Sequence, residues 1–283
     1  MSAIRAQLQT IPLPTQSFAG QTIIVTGSNT GLGLEAARHF VRLDAVRVIL
    51  AVRSLKKGED AKALLESSSD RKNVVEVWQV DMSSYDSIKA FATRCDSLDR
   101  LDVVVANAGI LRNTYEESEG VELTIKAKFL ERKEDSIFKA FNQDKKSYIA
   151  DRYNTSKLLE VLLVRSVAAA IQKGPHAAEP LIFNNVNPGL CHSELDKDVK
   201  GLASYILTFA KALIARTTEV GGCTLVHSAA AGSESHGQYM SEAKVKEPSG
   251  FVRSAEGAKV QGRVHKELID ILETIQPGIT SNI

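Results

Sequence analysis

The stretch TIIVTGSNTGLG, residues 22–33, decides the fold. Its first five residues, Thr22 to Thr26, are all β-branched, so the run predicts a buried strand. Three glycines follow at positions 27, 31 and 33, and GLEAARHFVRL (33–43) has the periodicity of a helix. A glycine turn between strand and helix lets the backbone approach a pyrophosphate. The free N–H groups and the helix dipole then hold the negative charge. The candidate contacts to a dinucleotide are Gly27, Ser28, Asn29, Gly31, Leu32 and Gly33.

The same alternation continues outward. Strand patterns at VRVILAV (46–52), VVEVWQV (74–80), LDVVVA (101–106) and LIFNNVN (181–187) are separated by helix patterns. These helices run through KKGEDAKALLE, SIKAFATRC and TSKLLEVLLVRSVAAAI (155–171). Strands alternating with helices of this length predict βαβ units, and hence a parallel sheet covered on both faces. No repeat or linker interrupts the pattern, so one domain over residues 1–283 is expected. Its cofactor half covers about 20–110 and its catalytic and substrate half about 111–270.

Ligands in open α/β sheets bind at the carboxyl ends of the strands. Arg53 stands there, 20 residues after Gly33, where an acidic residue would hold a ribose 2′-hydroxyl. A guanidinium suits a 2′-phosphate instead, which favours NADP(H) over NAD(H). The bland alternative is a solvated surface arginine. Asp81 follows the third strand; it either accepts from an adenine amine or caps the next helix, or does both. Asn107-Ala108-Gly109 follows the fourth strand as a small turn beside the adenosine ribose.

Net charge is +1, which argues against nucleic acid and anionic membranes as partners. Cys95, Cys191 and Cys223 have no disulfide or metal spacing, so reduced thiols and no metal are expected. The N-terminus reads as lacking a signal peptide, and no run reaches the length of a membrane span. The apolar pattern LASYILTFAKALIA (202–215) reads as a helix covering a substrate, with a membrane-surface helix as its alternative.

The ordered set TGSNTGLG, Asp81-Met82, Asn107-Ala108-Gly109, Tyr153-x3-Lys157 and NPGLCHS (187–193) resembles the short-chain dehydrogenase/reductase family. The tail from Gly237 to Leu268 is similar to its retinol-dehydrogenase-like branch, fungal members included. The resemblance implies a Rossmann-like, doubly wound parallel sheet and NAD(P)-dependent interconversion of alcohols and carbonyls. It makes Tyr153 the proton-transfer group, Lys157 its partner one helical turn on, and Ser193 a contact to the nicotinamide amide. Tyr153 and Lys157 count among the cofactor contacts as well. Phenol's ordinary pKa near ~10 is too high for this work, and a cation on the same helical face favours the phenolate. Tyr85-x3-Lys89 also matches the pattern, but only Tyr153 opens the long helix before the NPG strand. His192 and Glu194 read as loop residues.

Between Gly109 and Tyr153 the resemblance fails. The family places there a helix carrying an asparagine and a buried strand ending in the catalytic serine. Of the 41 residues from Arg112 to Arg152, 18 are charged, and no run suits a strand buried on both faces. VELTIKAKF (121–129) alternates like a half-exposed edge strand. The family reading breaks near Lys126 instead: an internal deletion after residue 125 removes the serine strand. Ser136 and Ser147 follow no strand and are poor substitutes. Asp44 replaces a customary glycine, and aspartate tolerates the left-handed conformation.

The sequence therefore predicts an NADP(H)-dependent oxidoreductase acting on a small, lipophilic or secondary-metabolite alcohol or carbonyl, in the cytoplasm. NAD is the lesser alternative as cofactor, and homo-oligomerisation is left open. The alternatives are a cofactor-binding but catalytically impaired relative, and an incomplete gene model or splice form of an active enzyme.

Overall fold

A computed structural model of the chain describes residues 3–109, 117–118, 121–122, 136–138, 149–193, 195, 208–209 and 211–283. In chain order its helices and strands are α1 (Ala3–Gln7), β1 (Thr22–Thr26), α2 (Gly31–Arg42), β2 (Arg47–Val52), α3 (Leu55–Ser67), β3 (Val75–Gln79), α4 (Tyr85–Asp96) and β4 (Val103–Val105). Then come β5 (Glu117–Ser118), β6 (Val121–Glu122), α5 (Ile149–Ile171), β7 (Asn185–Asn187), α6 (Thr218–Ala229), β8 (Tyr239–Ser241), β9 (Lys244–Lys246) and α7 (Ala255–Ile275). The chain divides into two compact units. One comprises Met1–Gly109, Asn187–Ala230 and Ser241–Ala243; the other comprises Ile110–Val186, Ala231–Met240 and Lys244–Ile283.

The first unit is built on a parallel sheet of order β3-β2-β1-β4. β1 lies between β2 and β4, and all five of its residues are buried. Two faces are needed to cover such a sheet, and the pleat supplies them. Ile24, Ile49, Ala51, Trp78 and Val80 form one cluster with Ile88, Phe91 and Cys95 of α4. On the other face Gly58 of α3 sits so close that a methyl group there would lie 2.4 Å from Val77 and 2.7 Å from Val52. Each Ile, Leu or Val buried in this way contributes roughly 1.5–3 kcal/mol relative to exposure. The expected doubly wound α/β architecture is thus present.

Helix α2 buries Ala36, Ala37, Phe40 and Val41, with Phe40 edge-on to Phe18 at 4.9 Å. It packs on α6, where small residues permit close approach. A Cβ on Gly222 would lie 2.9 Å from the backbone nitrogen of Ala36. Asp44, just past α2, takes the left-handed conformation at φ 70°, as its side chain allows. Residue Val104 of β4 is 55 % exposed, and among the described residues β4 pairs only with β1.

In the second unit α5 packs along α7. Ile137, Leu159, Leu162, Val252, Val260 and Val264 form its buried cluster. The carboxylate of Glu267 accepts from the Ser136 hydroxyl at 3.0 Å, the Ile137 N–H at 2.9 Å and the Phe138 N–H at 3.1 Å.

The strand expected over 181–187 is corrected. Only Asn185–Asn187 is a strand, and it belongs to a separate sheet of order β7-β8-β9. The physical reason is that nearby backbone and side chains claim the preceding groups. The Phe183 carbonyl accepts from Gly237 N–H at 2.8 Å, and Asn185 N–H donates to the Gln238 carbonyl at 3.0 Å. Leu181, Ile182 and Phe183 are left exposed. The edge strand read over 121–129 is described only at 121–122, where β6 pairs antiparallel with β5. The seam after residue 125, Ser147, Glu194 and most of the 202–215 helix lie outside the described residues. No described helix is long and apolar enough to cross a membrane.

Candidate active site

The first unit assembles a glycine turn held from below. Gly27 has φ 64°, in the left-handed region, and a Cβ there would lie 2.9 Å from the Cα of Ala108. A Cβ on Gly33 would lie 2.5 Å from Nδ2 of Asn107 and 2.8 Å from the Gly27 carbonyl oxygen. Both glycines are therefore dictated by the Asn107-Ala108 turn pressing on the loop. The contacts are reciprocal. Thr26 Oγ1 accepts from the N–H groups of Asn107 and Ala108 at 3.0 and 2.9 Å. The Asn107 amide donates to the carbonyls of Thr26 and Gly27 at 2.9 and 3.3 Å. Asn107 thus shapes the loop from within, beyond the ribose-side role expected of its turn.

The loop's upper side is open. Gly31, at φ 62°, has no atom within 4 Å of a Cβ position. Thr30 caps α2 without a side-chain hydrogen bond, whereas Ser54, Ser84, Thr217 and Ser254 cap α3, α4, α6 and α7 with theirs. The first-turn N–H groups of α2 are left to an anion, so the turn fits a dinucleotide pyrophosphate. Ser28 is fully buried and its hydroxyl donates to the Val25 carbonyl at 2.7 Å, so the side chain braces the loop.

Arg53 is exposed at the end of β2, and its guanidinium has no ion-pair partner among the described residues. A cleft of about 330 Å³ opens between Asn29, Thr30 and Leu34 on one side and Lys57, Asp60 and Leu64 on the other. Asp60 pairs with Lys56 at 3.2 Å, and Lys57, which lines the cleft, has no ion-pair partner among the described residues. The sequence reading missed Lys57. Its signal was a cation one helical turn after Arg53, in the first turn of α3.

Asp81 accepts from both N–H and hydroxyl of Ser83, at 2.9 and 2.6 Å. Those bonds, with help from Arg53, hold its carboxyl below the usual range. The cap of α4 is Ser84, so of the two roles weighed for Asp81 the helix cap is set aside. Ser193 belongs to the same unit, in a loop pinned to Arg216 by paired backbone bonds. Arg216 is buried and donates to the carbonyls of Pro188 and Ala6 at 2.9 and 2.8 Å. A Cβ on Gly221 would lie 2.8 Å from Cys191 Sγ and 2.9 Å from Leu32, so this loop reaches the glycine turn.

Tyr153 and Lys157 lie on α5, in the second unit. The Lys157 ammonium stands 5.7 Å from the Tyr153 ring centre and bonds both oxygens of Glu160, at 2.8 and 3.1 Å. Burial pushes the Tyr153 phenol above its ordinary range; Lys157 pulls it down and Glu160 pushes it up. Ser136 is committed to Glu267 and is no replacement for a catalytic serine. The described residues hold no cluster suited to a metal.

Residues 21–141 match the family model described as short chain dehydrogenase. A short chain dehydrogenase/reductase of Cryptosporiopsis sp. is 40% identical, with 100% of both chains covered. The chain belongs to the short-chain dehydrogenase/reductase family. A short-chain dehydrogenase of Penicillium roqueforti is 35% identical over 95% of this chain and 81% of its own. One from Gibberella zeae is 34% identical over 98% and 93%. Among solved structures, an uncharacterised protein from Mycobacterium Paratuberculosis shares the fold at TM-score 0.64, with 21% identity over 92% of this chain and 98% of that one. As a short-chain dehydrogenase/reductase the chain is an oxidoreductase acting on CH–OH groups with a nicotinamide dinucleotide.

Proposed function

We propose that this short-chain dehydrogenase/reductase uses NADP(H) to interconvert an alcohol and a carbonyl on a small, lipophilic secondary-metabolite substrate. It acts as one domain over 1–283, in the cytoplasm, within the retinol-dehydrogenase-like branch. One observation carries the cofactor choice: Lys57 lines the cleft at the uncapped start of α2, Arg53 is an exposed cation at the end of β2, neither has an ion-pair partner among the described residues, and position 53 holds no carboxylate for a 2′-hydroxyl. Two cations match a 2′-phosphate and gain nothing from a hydroxyl.

When bound, NADPH supplies a hydride to a carbonyl carbon. The chain's own residues do the rest. Gly31, Leu32 and Gly33 present N–H groups to the pyrophosphate, and the Ser193 hydroxyl orients the nicotinamide amide. Tyr153 Oη gives its proton to the substrate oxygen, and the Lys157 ammonium favours the phenolate left behind.

A second reading is a family member that binds cofactor but turns over slowly, for want of the serine strand. The alignment with the Cryptosporiopsis relative supports it: 329 positions against 283 residues leaves 46 positions facing no residue of this chain. Losing the serine's hydrogen bond to the developing oxyanion costs roughly 10²–10³ in rate.

The test is NADPH and NADH binding followed by turnover on a panel of ketones and aldehydes. Tighter NADPH binding with turnover supports the first reading. NADPH binding without turnover leaves the second, and no binding overturns both. Transcript sequence across codons 120–132 then separates a deletion in the protein from an exon absent only in this form.

A further inference from the structure

Tyr153, Lys157 and Glu160 lie at i, i+4 and i+7 of α5, which puts all three on one stripe of the helix. Lysine at the second position is there to serve the first. In this structure it serves the third: its ammonium bonds both Glu160 oxygens, at 2.8 and 3.1 Å. No hydrogen bond joins it to the phenol oxygen among the described residues. An ammonium held between two carboxylate oxygens has much of its charge neutralised there. Less is left to stabilise a phenolate one turn away.

The geometry points to Glu160 as a positioning residue of the proton-transfer pair: it competes with Tyr153 for the Lys157 ammonium and so sets how readily the phenol gives up its proton. This rests on the reading of Tyr153 as the proton-transfer group. Lys157 and Glu160 act on the phenol in opposite directions. On α7, Glu267 is taken up by residues 136–138, and Arg165 of α5 faces Gln261 two turns beyond. Arg263, His265 and Lys266 are the other titratable groups on this stretch of α7.

The competition bears on one elementary step. In reduction the phenol O–H bond breaks, the substrate O–H bond forms, and the electron pair stays on the phenolate; the hydride comes from NADPH. A carboxylate drawing the ammonium away makes Tyr153 a weaker acid, which retards this step. It also leaves the tyrosine protonated to higher pH, where reduction needs it. In the oxidising direction the same carboxylate depletes the phenolate that must accept the proton.

The experiment is ultraviolet titration of tyrosinate in the intact chain, with the Tyr153→Phe spectrum subtracted to isolate one phenol. Glu160→Gln is expected to lower the Tyr153 midpoint by about half a pH unit or more, the pair being partly exposed. Lys157→Met is expected to raise it. In the same proteins the alkaline limb of NADPH-dependent reduction should move down with the midpoint in Glu160→Gln, while Glu160→Asp restores the original limb. A Tyr153 midpoint that does not move in Glu160→Gln overturns the inference. Absence of turnover in the unaltered chain, with a midpoint that still moves, overturns the first reading of the function and leaves Glu160's effect on the phenol standing.

Discussion

The side-chain amide of Asn107 donates to the Thr26 carbonyl at 2.9 Å and would be struck at 2.5 Å by a methyl group on Gly33. One asparagine thus ties the fourth strand's end to the first and fills the space under the glycine turn. Gly33→Ala must push either the amide or the Gly27 carbonyl, both already bonded. Its expected result is at least a 10-fold weaker Kd for NADPH, read by fluorescence titration. Asn107→Leu leaves the Thr26 and Gly27 carbonyls without their donor and is expected to cost about 1–3 kcal/mol in urea unfolding.

Arg53 and Lys57 make separable claims. If both meet the 2′-phosphate, Arg53→Ala and Lys57→Ala should each weaken NADPH binding by roughly 10-fold, about 1.4 kcal/mol. Kd for NADH should change less than about two-fold in each case. Equal losses for both nucleotides would assign the two cations to the fold instead.

The first unit was largely legible, because its signals are local. β-branched runs with a glycine turn fix β1, and alternate apolar residues on β2 and β3 fix two buried faces. Position 53 was read from spacing alone, and Asp44's left-handed backbone from residue type. What escaped depends on partners distant in sequence. Nothing local says that Phe183 and Asn185 bond residues 237–238 instead of a central sheet, or that Ser136 belongs to Glu267, 131 residues away. The four-residue spacing puts Lys157 on Tyr153's face of the helix, with its ammonium 5.7 Å from the ring centre. That it bonds Glu160 follows from a choice between two partners at similar spacing, which periodicity does not make.

Burial lowers the pKa of His39, with Arg42 adding to it against smaller opposing effects of Glu219 and Glu35. The ring lies 3.3 Å from Cys223 Sγ, whose own thiol is pushed up to about 11 and stays neutral. The unfolded chain therefore takes a proton at this site more readily than the folded one. Stability from this group is full above the unfolded value of about 6.5 and is lost as pH falls below it. Melting temperature should drop between about pH 7.5 and pH 5, and His39→Gln should flatten that slope.

Glu267 is the single acceptor for three donors of residues 136–138. Ile137, between them, is buried against Leu159 and Val260. Glu267→Ala removes charge-assisted bonds from two backbone N–H groups at once and is expected to cost about 2–3 kcal/mol. Proteolysis within 130–140 should accelerate accordingly, while Ser136→Ala, which removes one bond and leaves the backbone pair, should cost about 1 kcal/mol and leave any turnover intact.

The last expectation concerns the 46 positions that the Cryptosporiopsis relative has and this chain lacks. If they include the serine strand, replacing residues 110–152 with the relative's corresponding segment restores a donor for the developing oxyanion. kcat for carbonyl reduction should then rise by roughly 10²–10³. NADPH affinity should hold, because the glycine turn, Arg53 and Lys57 lie outside the exchanged segment. A serine-to-alanine change within the graft should erase the gain. A graft that folds and binds NADPH but turns over no faster than the parent would show that the serine strand is not what limits this chain.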